Sequence, residues 1–136
     1  SYPFHQDGSY HSREEGQHCS LTTWIPFVAC GMDAPGLQLY PYKLDEILPL
    51  PEGKRMPYLF CDEQEVMRRF GDRLWTPPMN AGDVLVFDGF TVHRSYITER
   101  MYRERNNADI RVFPKSRLPD LVQQAIGWML DFDECP

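Results

Sequence analysis

Residues 81–95 read AGDVLVFDGFTVHRS, a pattern typical of two short strands joined by a tight turn. An Ala-Gly-Asp turn opens the segment, four apolar residues follow, and an Asp-Gly turn leads into a second strand over residues 91–96. Successive side chains of a strand point to opposite faces, so Thr91, His93 and Ser95 share one side of that strand. The segment therefore predicts β-structure that presents a histidine on one face.

The composition favours a single β-rich domain over a helical bundle. The 136 residues suit one modest core, and 42% hydrophobic and 25% charged residues are ordinary values for a globular protein. The chain contains 12 prolines and 9 glycines, which indicates many turns. Short strands with a few helices then favour a β-sandwich or an open barrel, and we expect residues 1–136 to form one domain.

The charge balance argues against a nucleic-acid partner. The net charge is −6, whereas phosphate binding requires clustered lysines and arginines. Arg100, Arg103 and Arg105 do cluster, but Glu99 and Glu104 interrupt them. Since no apolar run approaches the roughly 20 residues that span a bilayer, the sequence also predicts no membrane segment.

The cysteine pattern indicates free thiols and a cytoplasmic protein. Cys19, Cys30, Cys61 and Cys135 show neither the spacing of a structural zinc site nor a disulfide framework. The sequence given also predicts no signal peptide. The chain starts at Ser1, close to its first candidate functional residue, and we expect from this that it is a fragment lacking N-terminal helices and the first core strand.

Two helices stand out among the predicted elements. Residues 62–70 begin with a capping aspartate and end with arginines before a glycine, and residues 119–130 have apolar side chains at helical spacing. Two polar stretches, 10–20 and 41–57, are expected to be irregular and to decide the substrate. The predicted strands are residues 2–6, 21–28, 37–40, 58–61, 74–76, 84–87, 91–96 and 108–113.

A candidate metal site arises from His5, Asp7 and His93. Side chains separated by one residue on a strand stand on the same face, so His5 and Asp7 can offer two ligands to one ion. A third ligand from a distant strand, His93, would complete one triangular face of an octahedron. Two histidines and one carboxylate in this arrangement suit Fe(II) with open positions. The alternative is that each is a satisfied polar residue of a β-fold.

Arg111 is the candidate for binding an organic acid. It shares a strand face with Asp109 and Phe113, which would direct its guanidinium inward beside the metal strand. Burying an arginine without an anion is costly, and a dicarboxylate would remove that cost through bidentate hydrogen bonds. A surface arginine on an edge strand is the alternative interpretation.

These motifs, taken in order, resemble the phytanoyl-CoA dioxygenase family of Fe(II)/2-oxoglutarate oxygenases. The resemblance runs from residue 2 to about residue 114 and includes His5-Gln6-Asp7, Trp24, Ala34-Pro35-Gly36-Leu37, Gly82-Asp83 through His93-Arg94-Ser95, and Arg111. It implies a double-stranded β-helix (jelly-roll, cupin-like) core with a few flanking helices. It further implies that His5, Asp7 and His93 bind iron and act in catalysis, and that Arg111, Ser95 and Trp24 hold 2-oxoglutarate.

The implied activity is hydroxylation of a C–H bond in a small-molecule substrate. Fe(II), 2-oxoglutarate and O2 would be required, and succinate and CO2 would be released. Because the interval from His93 to Arg111 is longer than is usual in the family, Arg100, Arg103 and Arg105 remain alternative partners for the co-substrate carboxylate. Two other functions stay open: a jelly-roll protein that binds another metal without oxygenase activity, and an inactive core fragment.

Overall fold

The computed structural model describes residues 2–10, 20–49, 51, 53 and 60–113. Within them the chain forms two antiparallel sheets and one short α-helix, which confirms the prediction of a mainly β fold. The predicted helix 119–130 and most of the loop 10–20 lie outside the described residues. So do parts of the excursion 41–57 and of the strand 58–61. No described helix has the length and apolarity that crossing a bilayer requires.

The first sheet has three strands in the order β3-β1-β5. Its central strand β1 pairs along its length with β5 and along its first part with β3. These strands are β1 (Leu21–Pro26), β3 (Leu85–Asp88) and β5 (Asn107–Val112).

The second sheet pairs β2 (Gly36–Leu39) with β4 (His93–Tyr96). Isolated bridges widen it on both sides: His5 pairs with His93 and with Phe60, and Leu39 pairs with Trp75. The second sheet therefore brings the N-terminal His5 directly beside the strand that carries His93.

Strand β1 alternates between an inner and an outer face. Thr22, Trp24 and Pro26 are buried, whereas the residues between them are exposed or half-buried. The strand ends at Pro26, two residues before the end of the predicted strand 21–28, because proline lacks the N–H needed to continue the ladder. Thr22, the buried second residue of this central strand, is important for the site described below.

Two apolar clusters form the core. One combines residues of both sheets with residues of the connecting segments and contains Trp24, Cys30, Ala34, Leu37, Leu39, Met79 and Phe87. The other lies beneath the helix and contains Phe4, Tyr40, Leu48, Val66, Phe70 and Val92. The two described cysteines, Cys30 and Cys61, are free thiols, as predicted, and burial raises the pKa of Cys61 to about 12.

Helix α1 (Glu63–Phe70) begins as its sequence predicts. The Asp62 carboxylate accepts a hydrogen bond of 3.0 Å from the Glu65 backbone N–H, which satisfies one of the first-turn donors. Val66 and Phe70 are its buried residues. Gly71 follows with φ −47° and ψ −46°, so the chain tightens into a 3₁₀ turn there without adopting a left-handed cap.

Two of the predicted strands are reduced to isolated bridges. Residues 2–6 contribute only the bridge at His5, because the chain turns at once into a 3₁₀ helix (Asp7–Tyr10) closed by Ser9 N–H donating to the Gln6 carbonyl at 3.0 Å. Residues 74–76 contribute only the bridge at Trp75. Pro77 and Pro78 follow it and have no N–H to donate.

We expect Gly31→Ala to destabilise the fold more than Gly82→Ala. Both glycines have positive φ, at 89° and 86°, but an added Cβ at residue 31 would lie 2.5 Å from the Pro77 carbonyl oxygen, whereas nothing lies within 4 Å at residue 82. Gly82→Ala should cost about 1–2 kcal/mol from the backbone alone, and Gly31→Ala clearly more. Urea unfolding measures both; equal losses would show that the close approach to Pro77 carries no cost.

Candidate metal centre

His5 and His93 form a reciprocal backbone pair between neighbouring strands. His5 N–H donates to the His93 carbonyl at 2.9 Å, and His93 N–H donates to the His5 carbonyl at 3.0 Å. Residues directly opposite in an antiparallel pair project their side chains to the same face. The two imidazole ring centroids accordingly lie 4.1 Å apart. Residues separated by almost the whole described chain are therefore brought together by the strand pairing itself.

Asp7 supplies a carboxylate to the same point. Its Oδ1 lies 3.6 Å from His5 Nε2 and 3.8 Å from His93 Nε2. His5 and His93 are each 5% exposed and Asp7 is fully buried. Each of the three can offer one ligand atom within 4.8 Å of the others, a spacing that one metal ion can bridge.

The route by which Asp7 arrives differs from the expected one. The sequence predicts His5 and Asp7 side by side on a strand, but only His5 pairs in the sheet and Asp7 is the first residue of the 3₁₀ helix. The 3₁₀ turn brings the Asp7 carboxylate next to the two imidazoles. The expectation that the three side chains converge holds, although the expected strand geometry is wrong.

Backbone carbonyls hold both imidazoles in one tautomer. His5 Nδ1 lies 2.9 Å from the Pro3 carbonyl and His93 Nδ1 lies 2.9 Å from the Thr91 carbonyl. A carbonyl oxygen can only accept, so each Nδ1 donates its proton. Each Nε2 is then left with a lone pair directed toward Asp7, which is the form that binds a metal.

Burial keeps the two histidines uncharged. Burial, with a smaller contribution from His93, lowers the pKa of His5 to about 4. Burial likewise lowers the pKa of His93. At neutral pH both rings are therefore neutral ligands.

Asp7 remains ionised although it is buried. Burial alone would raise the pKa of Asp7, but His93 when its ring is protonated, the Thr22 hydroxyl and the Arg111 guanidinium act against it and lower the pKa below its ordinary value. Thr22 Oγ1 donates to Asp7 Oδ2 at 2.5 Å. Arg111 spans both oxygens, with Nη2 at 3.2 Å from Oδ1 and Nε at 3.3 Å from Oδ2.

A cavity of about 220 Å³ opens beside the three residues. The predicted co-substrate residues Trp24, Ser95 and Arg111 line it together with the two histidines. The remaining lining residues are Tyr2, Leu37, Phe87 and Asp109. The structure thus gathers all the sequence-predicted site residues around one cavity, with Asp7 buried next to it.

The four arginines considered for carboxylate binding lie in different environments. Arg111 pairs with Asp7 and lies 3.7 Å from Asp109. Arg105 is half-buried, with its guanidinium carbon 5.4 Å from the Trp24 ring centroid and its Nη1 donating to the Gly36 carbonyl at 3.0 Å. Burial lowers the pKa of Arg105. Arg100 and Arg103 are exposed.

Two residues of the site were given no role by the sequence analysis. Gln6 is 1% exposed, and its side-chain amide donates to the Glu46 carbonyl at 2.9 Å and the Phe90 carbonyl at 2.6 Å and accepts from Leu48 N–H at 2.7 Å. It therefore ties the two ligand-bearing segments to the chain around residues 46–48. The other is Thr22. It lies two residues before Trp24, so the two side chains share a face of β1, and this spacing could have identified Thr22 from the sequence.

The donor set fits a divalent transition metal. Two neutral imidazole nitrogens and one carboxylate oxygen, all buried and mutually close, form the combination that suits non-haem Fe(II). The chemistry of the donors thus agrees with the ion that the sequence predicts.

The fold and the cluster define a mainly antiparallel β-protein with a two-histidine, one-carboxylate site. Residues 1–101 match the phytanoyl-CoA dioxygenase (PhyH) family, and the chain belongs to that family. The family has a cupin-like fold, so the predicted fold class is confirmed. Its members depend in general on Fe(II) and 2-oxoglutarate. No curated protein matches the chain at the level of sequence.

The metal-free chain should lose stability as the pH falls from 6.5 toward 4. The pKa of His5 is 6.5 in its ordinary state and about 4 in the fold, so within this window the unfolded chain takes up a proton that the folded chain does not. The loss should approach about 3 kcal/mol once the pH is below the folded pKa.

Thermal unfolding with a chelator present, followed from pH 7 to pH 4.5, measures this loss. His5→Asn is the matched variant, because its amide can still donate to the Pro3 carbonyl but does not titrate. Its stability should depend less steeply on pH than that of the wild type. Parallel curves would contradict the assignment of the loss to His5.

Proposed function

We propose that this protein is an Fe(II)- and 2-oxoglutarate-dependent dioxygenase that hydroxylates a C–H bond of a small-molecule substrate. The observation that carries the proposal is the convergence of His5 Nε2, His93 Nε2 and Asp7 Oδ1 in a buried cluster. Membership of the phytanoyl-CoA dioxygenase family supports the same activity. The cavity beside the cluster suits a small molecule.

His5, Asp7 and His93 would hold the iron. Bound together, Fe(II) and 2-oxoglutarate supply the means to activate O2, with succinate and CO2 as products. The protein contributes fixed, neutral imidazoles whose Nδ1 protons are engaged by the Pro3 and Thr91 carbonyls, so that little reorganisation is needed when the ion binds.

One part of the cavity wall is apolar. Trp24, Leu37 and Phe87 are buried apolar side chains along one part of it, and Ser95 provides a hydroxyl in a half-buried position. In a cavity of this kind a hydroxyl donor and a nearby guanidinium are worth more than in open water. Ser95 would donate to a carboxylate oxygen of the co-substrate.

Arg105 is the better partner for the distal carboxylate of 2-oxoglutarate, and Arg111 the weaker one. Arg111 already spans both oxygens of Asp7. Arg105 does not itself line the cavity, but it is half-buried against Trp24, which does. No acidic side chain in the described part of the chain forms a salt bridge with Arg105. A desolvated guanidinium of this kind gains most from an incoming carboxylate.

The activity can be tested without knowing the substrate. Oxidation of 2-oxoglutarate supplies two of the four electrons that O2 takes up, and added ascorbate can supply the other two in place of a substrate. With ascorbate present, the purified chain should release succinate in air only when Fe(II) and 2-oxoglutarate are both present. His93→Ala should reduce this release at least about a hundredfold, because a ligand of the metal is lost. The measurement is succinate formation together with metal content.

Arg94→Ala, next to His93 but packed over Phe4 on the other side of the strand, is the control and should retain the activity. Tight binding of zinc or manganese with no affinity for 2-oxoglutarate would instead favour a jelly-roll metal protein of another class. A chain that binds no metal would contradict the proposal altogether.

Arg105→Gln should weaken 2-oxoglutarate binding by about tenfold to a hundredfold, as expected for the loss of a charge-assisted hydrogen bond. Calorimetric titration of 2-oxoglutarate into the Mn(II)-loaded protein without O2 measures the effect. Arg103→Gln, an exposed neighbour, should change nothing. An unchanged affinity in Arg105→Gln combined with a large loss in Arg111→Gln would return the role to Arg111.

A further inference from the structure

Asp7 is held by groups that are not metal ligands. Thr22 Oγ1 donates to Oδ2 at 2.5 Å, and the Arg111 guanidinium spans Oδ2 and Oδ1 at 3.3 and 3.2 Å. The carboxylate is fully buried, so its orientation is decided by these contacts and not by water. Thr22 and Arg111 bind the two carboxylate oxygens of Asp7 differently.

Thr22 binds only one of the two carboxylate oxygens of Asp7. Its hydroxyl bonds to Oδ2 alone, whereas the Arg111 fork contacts both. A carboxylate can only accept, so the threonine proton points at Oδ2 and occupies a lone pair there. Oδ1 is left as the oxygen that faces His5 Nε2 and His93 Nε2.

The position of Thr22 is rigid. It lies in the middle of the three-stranded sheet, with Phe87 opposite on β3 and Arg111 opposite on β5. It is 1% exposed, and as a β-branched residue it has few side-chain conformations available. The same register places the Arg111 side chain next to the threonine, so one row of the sheet supplies both contacts to Asp7.

We propose that Thr22 is a positioning residue that makes Asp7 a one-oxygen metal ligand by keeping Oδ2 turned away from the ion. Arg111 acts beside it as the counterion that compensates the buried charge of Asp7 when no metal is bound. The inference rests on the proposed function for the identity of the metal, but concerns only residues of this chain. With Oδ2 held back, one more coordination position stays open for co-substrate or O2.

Co(II) provides a test that does not depend on turnover. Its visible absorption reports the coordination number of the bound ion, and calorimetric titration reports its affinity. In Thr22→Val, Oδ2 keeps only its longer hydrogen bond from Arg111 Nε, at 3.3 Å, and should turn to join Oδ1 on the metal, so the Co(II) absorption should weaken and shift. The affinity should change by about tenfold or more, as for other residues that orient a metal ligand.

Three further variants isolate the hydroxyl. Thr22→Ser keeps it and should restore the wild-type spectrum, whereas Thr22→Ala loses it and should behave like Thr22→Val even if valine disturbs packing. Thr23→Val makes the same chemical change at the neighbouring position, on the outer face of β1, and should leave spectrum and affinity unchanged. Circular dichroism confirms that each variant is folded.

The outcomes separate this inference from the proposed function. If the wild type binds Co(II) and His93→Ala does not, the metal site stands. A wild-type spectrum and affinity in folded Thr22→Ala would then overturn the role of Thr22 and leave the function intact. A wild type that fails to bind Co(II) would overturn both.

Discussion

The site depends on the reciprocal pair of backbone hydrogen bonds between His5 and His93. These bonds, at 2.9 and 3.0 Å, fix the two residues directly opposite each other and so force both imidazoles onto one face. A shift of the pairing by one residue would move one ring to the other side of the sheet. The metal centre therefore requires this strand register, which the backbone hydrogen bonds determine. The pairing of β4 with β2, and the core packing of Leu37 and Leu39 on β2, help to maintain it.

The second constraint is the cost of a buried carboxylate. Asp7 is fully buried, and a charge in that position is tolerated only when hydrogen bonds and an opposite charge compensate it. Thr22 and Arg111 supply these from the neighbouring sheet. Asp7 thereby links the segment that carries His5 to the three-stranded sheet. A divalent cation between the same three residues would add a further favourable interaction with the carboxylate, which makes the cluster a natural cation site.

Much of the fold was accessible from local patterns. The cap at Asp62, the end of β1 at Pro26 and the alternation of Thr22 and Trp24 all follow from short-range rules that the structure obeys. Weakly paired segments were harder to predict. Whether residues 2–6 form a strand depends on a turn closed by Ser9 and on partners far along the chain, and neither leaves a periodic signal.

Residue types in order along the chain were enough to identify the candidate ligands, the family and the mainly β fold, because donor chemistry and strand alternation are local properties. The tertiary structure decided the rest. Only strand register could show that Asp7 reaches the histidines from a 3₁₀ turn and that Thr22 and Arg111 hold it. The tertiary structure also places the Arg105 guanidinium against the Trp24 ring. The physical reason is that hydrogen bonds and ion pairs between distant segments depend on how the sheets are paired, and no spacing within the sequence encodes that directly.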